Sequence, residues 1–374
     1  MGEKEQMNPL FNKVTIVGVG LIGGSMGLAL RGWNLANEVT GVDTDQANLE
    51  LALELGAVHR ISRNVLEAVE DADLVVIATP VGLTAKLVEE IAPYLKQGCI
   101  VTDVGSTKSS VVNQVEGLMP AGTSFIGGHP MTGAETTGVQ GADRYLFENA
   151  VYILTPSPNS DKPALHKMNQ LIEGLGARCI EIDPQEHDIM VAAVSHLPHL
   201  VATALVNTAS ELEEEHHGLL MLAAGGFRDT TRVASGNPMM WKDICLTNKE
   251  SILKVLDKFA GAIERTRSLM ERCDDLGLKN EFKQARELRE NIPFKIKGYL
   301  PQTFEIVVTV PDKPGIIGNI AILLGNEGIN INDIEILRVR EGEGGTIRLA
   351  FGSEEHQAKA VETMRSNGIP AKKR

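Results

Sequence analysis

The chain has 374 residues, enough for two or three domains, and is 43% hydrophobic but only 4% aromatic, so its cores are aliphatic. A net charge of −13 argues against a nucleic-acid surface and leaves no polybasic membrane patch. Met1 to Gln6 lacks a signal-peptide core, no segment reads as a membrane span, and the four cysteines are scattered, so the expectation is a cytoplasmic protein with free thiols.

Strand signals come first. Val14-Thr15-Ile16-Val17 runs into Gly18-Val19-Gly20-Leu21-Ile22-Gly23, which opens a helix over 24–30, and Val39 to Val42 ends in Asp43. Glycines at this spacing between strand and helix fit a dinucleotide pyrophosphate. Gly18 permits the turn, Gly20 lets the backbone approach the phosphates, and Gly23 lets helix and strand pack. The unpaired N–H groups at the helix start, around Leu21 and Ile22, face the anion. Asp43 suits the ribose hydroxyls and repels a 2′-phosphate, which predicts NAD rather than NADP as cofactor. Further strands are expected at 74–77, 100–103, 125–127, 151–154 and 179–182. The loops after three of them, with Thr79-Pro80, Asp103 to Ser106, and Gly127 to Pro130, should converge on the nicotinamide half. The fold class is therefore α/β, with a Rossmann-type, largely parallel dinucleotide-binding domain over residues 1–182.

From residue 183 to 293 the β pattern stops, and an all-α domain is expected. Long helices are predicted over 185–216 and from Pro238 to about Glu290, with a glycine-broken piece around Gly225-Gly226. Ile252, Val255, Phe259, Ile263 and Met270 repeat at helical spacing, reading as core or subunit interface. So much apolar helix surface predicts a homodimer. Residues 299–374 follow a βαββα order with a short closing strand near Ile369, a ferredoxin-like module.

Several residues carry chemistry. His129 follows a strand through two glycines and precedes Pro130, a position from which it can take a proton from a hydroxyl; an inert loop histidine fits as well. Ser195-His196-Leu197-Pro198-His199 places a proline inside a helix beside two histidines, reading as a site or as a kinked core helix. Arg228 and Arg232 follow the glycine pair, suiting an anionic substrate or ordinary helix-face ion pairs. Glu213 to His217 reads as a solvated face, and no metal is expected.

Together these pieces resemble the prephenate dehydrogenase family in its form with a C-terminal ACT domain. The matching segments are VGVGLIGGS (17–25), DVGSTK (103–108), GGHPMTGAE (127–135), SHLPH (195–199), GGFRDTTR (225–232) and NPMMW (237–241). VPDKPG (310–315) with GIN (328–330) resembles the ACT signature. The resemblance implies oxidative decarboxylation of prephenate. His129 would act on the ring C4 hydroxyl, with Ser106 beside it. Arg232 would clamp a carboxylate; Ser195, His199, Trp241 and Gly225 would line the pocket, and Glu135 would gate it. Ala134 stands where the family often has Thr. L-tyrosine is the implied effector, at Asp312, Pro314, Gly315 and Asn330, although the module could serve assembly alone. Alternatives are an arogenate dehydrogenase, a non-catalytic sensor of NAD and amino acids, and a 3-hydroxyacid dehydrogenase whose lysine motif is not found.

Overall fold

The computed structural model describes residues 9–133, 138–291, 304–311, 313–340 and 344–373. The expectations placed on Glu135 and Asp312 lie outside the described residues. The chain divides into two compact units, Met1–Phe294 and Lys295–Arg374.

Apolar runs too short for helices build the first sheet. Its strands are β1 (Phe11–Val17), β2 (Ala36–Val42), β3 (Arg60–Ser62), β4 (Leu74–Ile77), β5 (Ile100–Asp103), β6 (Ser124–Pro130), β7 (Val151–Thr155) and β8 (Arg178–Glu181). They lie in the order β3-β2-β1-β4-β5-β6-β7-β8. From β3 to β6 every pairing is parallel, whereas β7 runs antiparallel to β6 and carries β8 parallel to itself. Strand β4 shows why the sheet needs cover on both faces. Leu74 and Val76 enter one aliphatic core with Val14 and Ile16, while Val75 and Ile77 enter a second with Val17 and Val101. The chain order reverses between β1 and β4, creating a crevice at the carboxyl ends of the strands, where open α/β sheets bind ligands.

Three expectations bear on the helical part. The run Pro184–Glu215 is continuous over 32 residues, with a mean hydropathy of 1.8 in its most apolar stretch, so among the described residues one helix is long and apolar enough to cross a membrane by length and composition. Only 28% of that stretch is buried within the chain. The run's bounds match the helix expected over 185–216, and Pro198 does not end it. Instead a π-helical turn, Ala192–His196, joins Pro184–Val191 to Leu197–Glu215, and Pro198 sits in the first turn of the latter, where its missing N–H costs least. Second, the helix expected from Pro238 to about Glu290 is three: Pro238–Thr247, Lys249–Glu271 and Asp275–Asn291. Asn237 caps the first through its side chain, and Cys273 breaks the last junction with a φ of 53°. Third, the apolar repeat divides. Ile252 and Val255 are buried, whereas Ile263 and Met270 are 56% and 63% exposed.

The second unit is a four-stranded antiparallel sheet. Strands β9 (Phe304–Val310), β10 (Asp333–Arg340), β11 (Gly344–Phe351) and β12 (Ala371–Lys373) lie in the order β10-β11-β9-β12, with helices Ile316–Asn326 and Glu354–Ser366 between them in sequence. Ile306, Val308, Leu349 and Phe351 meet Ile320, Leu324, Ala360 and Met364 in one core. Ser353 caps the second helix, and the closing strand falls next to the expected position.

Candidate active site

The glycine turn divides its labour as the spacing predicts. A Cβ on Gly18 would lie 2.6 Å from the Ala78 carbonyl oxygen, and its φ is +96°, so turn and strand contact both demand glycine there. A Cβ on Gly23 would overlap the Gly18 carbonyl. Gly20 differs, with nothing within 4 Å of its Cβ position, and it caps helix Leu21–Gly32 with no side-chain hydrogen bond. The helix thus presents N–H groups beside a position kept open, a cradle that fits a pyrophosphate. Asp43 follows β2, and its carboxylate accepts hydrogen bonds from the N–H of Val19 at 3.0 Å and of Asp45 at 3.0 Å. Those bonds pin it against the glycine turn while leaving lone pairs for sugar hydroxyls. The Thr79 hydroxyl, just after β4, is buried without a partner among the described residues, as a ligand-binding group would be, while the neighbouring Pro80 is exposed.

Asp103 is a correction. Expected to line the cofactor, it is 0% exposed and sits beneath the site. Its carboxylate pairs with the equally buried Lys108 ammonium and accepts from Gly105 N–H at 3.0 Å and Gly128 N–H at 3.2 Å. It therefore ties the loop bearing Ser106 to the strand bearing His129. Ser106 itself is half-buried beyond the end of β5, next to β6 in the sheet. Burial outweighs the attraction of Asp103 and lowers the Lys108 pKa, as expected for a cation with no access to water.

His129 lies near the carboxyl end of β6, on the edge that carries the glycine turn, Thr79 and Ser106. Its Nδ1 is 2.8 Å from Nε2 of His187, whose Nδ1 is 2.8 Å from Oδ1 of Asp188. Burial, reinforced by His187, Lys108 and His196, holds the His129 pKa well below 6.5, so the imidazole is neutral near pH 7. For Asp188, burial pushes upward. The His187 bond and the N–H groups of Lys108 and Ser109 outweigh it and keep the carboxyl below its ordinary value. His187 and Asp188 escaped the sequence reading, although Asp183-Pro184 marks the start of their helix.

The other side comes from the helices. His199 stacks on Trp241 with ring centroids 3.6 Å apart and planes 9° from parallel, while His196 meets the same ring edge-on at 6.0 Å. The Nδ1 atom of His199 is buried with no hydrogen-bond partner among the described residues. His196 shares Asn248 with the site, their nitrogens 3.3 Å apart, while the Asn248 amide also donates to the Asp188 carbonyl at 2.8 Å. The pair on Trp241 is thus His196 and His199, three residues apart, and Ser195 is half-buried beside them. Thr107 and Thr247 hydroxyls, 2.8 Å apart, join the Ser106 loop to helix Pro238–Thr247. Gly225 begins helix Gly225–Thr231, and Arg232 follows its end, both at the surface. In the second unit Pro314 and Gly315 line an open hollow with Lys313 and Ile316 to Gly318, while Asn330 lies in the following loop and bonds Asn332 at 3.0 Å.

Comparison with known proteins identifies the family. Residues 26–181 match the prephenate dehydrogenase nucleotide-binding domain, residues 183–284 its dimerization domain, and residues 304–368 the ACT domain. Prephenate dehydrogenase of Bacillus subtilis is 38% identical over 95% of this chain and 96% of its own, and that of Lactococcus lactis 33% identical over 94% and 96%. The crystal structure of prephenate dehydrogenase from A. aeolicus, in complex with hydroxyphenyl propionate and NAD+, superposes with a TM-score of 0.72 at 32% identity, covering 78% of this chain and 100% of that one. With its nucleotide-binding, dimerization and ACT domains each matched, the chain belongs to the prephenate dehydrogenase family.

Proposed function

We propose that this chain oxidatively decarboxylates prephenate to 4-hydroxyphenylpyruvate and CO2, reducing NAD to NADH. The observation that carries this reading is His129, a neutral imidazole on the strand edge it shares with the glycine cradle. When bound, NAD supplies the nicotinamide ring that accepts a hydride. Nε2 of His129 takes the proton of the C4 hydroxyl as the C4 hydride leaves, and Ser106 orients that hydroxyl. The resulting dienone loses its ring carboxylate as CO2. The bonding pair completes an aromatic ring and places charge on the C4 oxygen, which recovers the proton from His129.

Arg232 binds a carboxylate of the dianion, Ser195, His199, Trp241 and Gly225 shape the pocket, and Glu135 gates it. Asp43 selects NAD. The exposed apolar face of the helices is covered by a second copy, giving a homodimer in the cytoplasm. L-tyrosine acts at the ACT module through Asp312, Pro314, Gly315 and Asn330. The deciding experiment measures reduced-nucleotide formation by the full chain with prephenate or arogenate, and with NAD or NADP. Turnover of prephenate with NAD is expected. Preference for arogenate would move the substrate assignment, and no turnover of either would overturn the reading.

A further inference from the structure

One hydrogen-bonded chain behind His129 has a determinate proton order. Asp188 Oδ1 accepts from Lys108 N–H at 2.8 Å and Oδ2 from Ser109 N–H at 2.9 Å, so the carboxylate is held from two sides as an acceptor. The Asn248 amide fixes the Asp188 backbone carbonyl at 2.8 Å. His187 Nδ1, 2.8 Å from the same Oδ1, must therefore carry a proton. His187 is 0% exposed, and as in a Ser-His-Asp relay its neutral form gives one N–H to the carboxylate and keeps the other nitrogen bare. Its Nε2 is then a lone pair. The atom facing that lone pair at 2.8 Å, Nδ1 of His129, must be the donor. A neutral His129 with its proton on Nδ1 has its own lone pair on Nε2, the nitrogen that faces no protein partner among the described residues.

We propose that His187 and Asp188 are positioning residues that lock His129 in the tautomer with a basic Nε2. The order Asp188, His187, His129 leaves one free acceptor, at the end that meets substrate. As Nε2 takes up the hydroxyl proton, the positive charge that develops on His129 is met through Nδ1–H by the His187 lone pair, itself polarised by Asp188. The groups facing His129 are His187, Lys108 and His196, and only His187 offers an acceptor at bonding distance. This inference rests on His129 being the base of the proposed reaction.

The test uses the full-length enzyme. His187→Leu removes the acceptor, and kcat should fall at least ~10-fold with KM for prephenate and NAD within about twofold, because only the reacting state loses support. His187→Gln, whose amide oxygen can accept from Nδ1–H, should recover most of that loss, which a packing role would not require. Independently, 15N spectra of histidine-labelled wild-type enzyme without substrate, assigned with His129→Asn, should show a protonated Nδ1 and a bare Nε2 for His129. A proton on Nε2, or an unchanged kcat in His187→Leu, overturns the proposal. The spectrum needs no turnover, so a wild-type enzyme inactive on prephenate would sink the functional reading while leaving the tautomer separately decided.

Discussion

Gly20 and Gly23 look alike in sequence and differ in what surrounds them. Gly20→Ala adds a methyl group where the fold has room, so melting should stay within about 1–2 °C while NAD binding weakens at least ~10-fold, because the methyl stands where phosphate must come. Gly23→Ala drives a Cβ into the Gly18 carbonyl, so it should lower the melting temperature as well as NAD affinity. Thermal melts and NAD titration of both variants check the contrast; equal melting losses would remove the cradle assignment from Gly20. His129 makes a second prediction at this scale. His129→Asn should lower kcat by roughly 10²–10⁴ while leaving NAD binding unchanged, the range for a positioned base. Because burial, reinforced by His187, Lys108 and His196, holds the imidazole neutral, the wild-type acid limb should lie below pH 6.5, activity falling as pH drops through the depressed value. A rate measured from pH 4 to 8 decides it.

At the level of elements, the π turn Ala192–His196 ends on a buried histidine inside a helical run. Burial lowers the His196 pKa to about 4, against an opposing pull from Asp188. A histidine whose folded pKa lies below its unfolded value stabilises the fold above the unfolded pKa and loses that contribution as pH falls towards the folded one. The unfolded chain binds more protons across pH 6.5 to about 4, so stability should decline over that window by roughly 3 kcal/mol from this group. His196→Gln, able to keep a bond to Asn248, should flatten the decline in denaturant melts. An unchanged slope would assign acid sensitivity to other groups. The same turn explains what the sequence left hidden. Strands β1, β2, β4 and β5 are legible because each is a short aliphatic run ending in glycine, acid or a Thr-Pro pair. β3 is only three residues long and lacks buried positions, leaving no periodic signal. Pro198 signals a kink through its missing N–H, but not that a π turn before it would absorb that loss. His187 and Asp188 carry no motif of their own, since their meaning comes from His129, 58 positions earlier, folding against them.

Across the whole molecule, catalytic groups and the ACT module belong to separate compact units with separate cores, so removing one leaves the hydrophobic core of the other intact. Every hydrogen bond in the chain Asp188, His187, His129, and every contact of the Trp241 stack, lies within the first unit. Tyrosine inhibition, if it works through the second unit, must be a coupling between sites rather than competition at His129. A chain ending after Asn291 should therefore keep turnover with prephenate and NAD and lose its response to tyrosine, while the full chain shows the inhibitor altering kcat or KM. Mutation of Gly315, whose φ of +85° starts helix Ile316–Asn326 at the hollow, should reproduce the loss of response in the intact protein without lowering the uninhibited rate. Steady-state rates with and without tyrosine for the three proteins separate the alternatives. Full sensitivity in the shortened chain would place the inhibitor in the prephenate pocket, where it would compete for Arg232 and the His199–Trp241 wall. Insensitivity of the full chain would leave the ACT module a role in assembly alone, which sedimentation of the shortened chain would then reveal as a change in mass per particle beyond the missing residues.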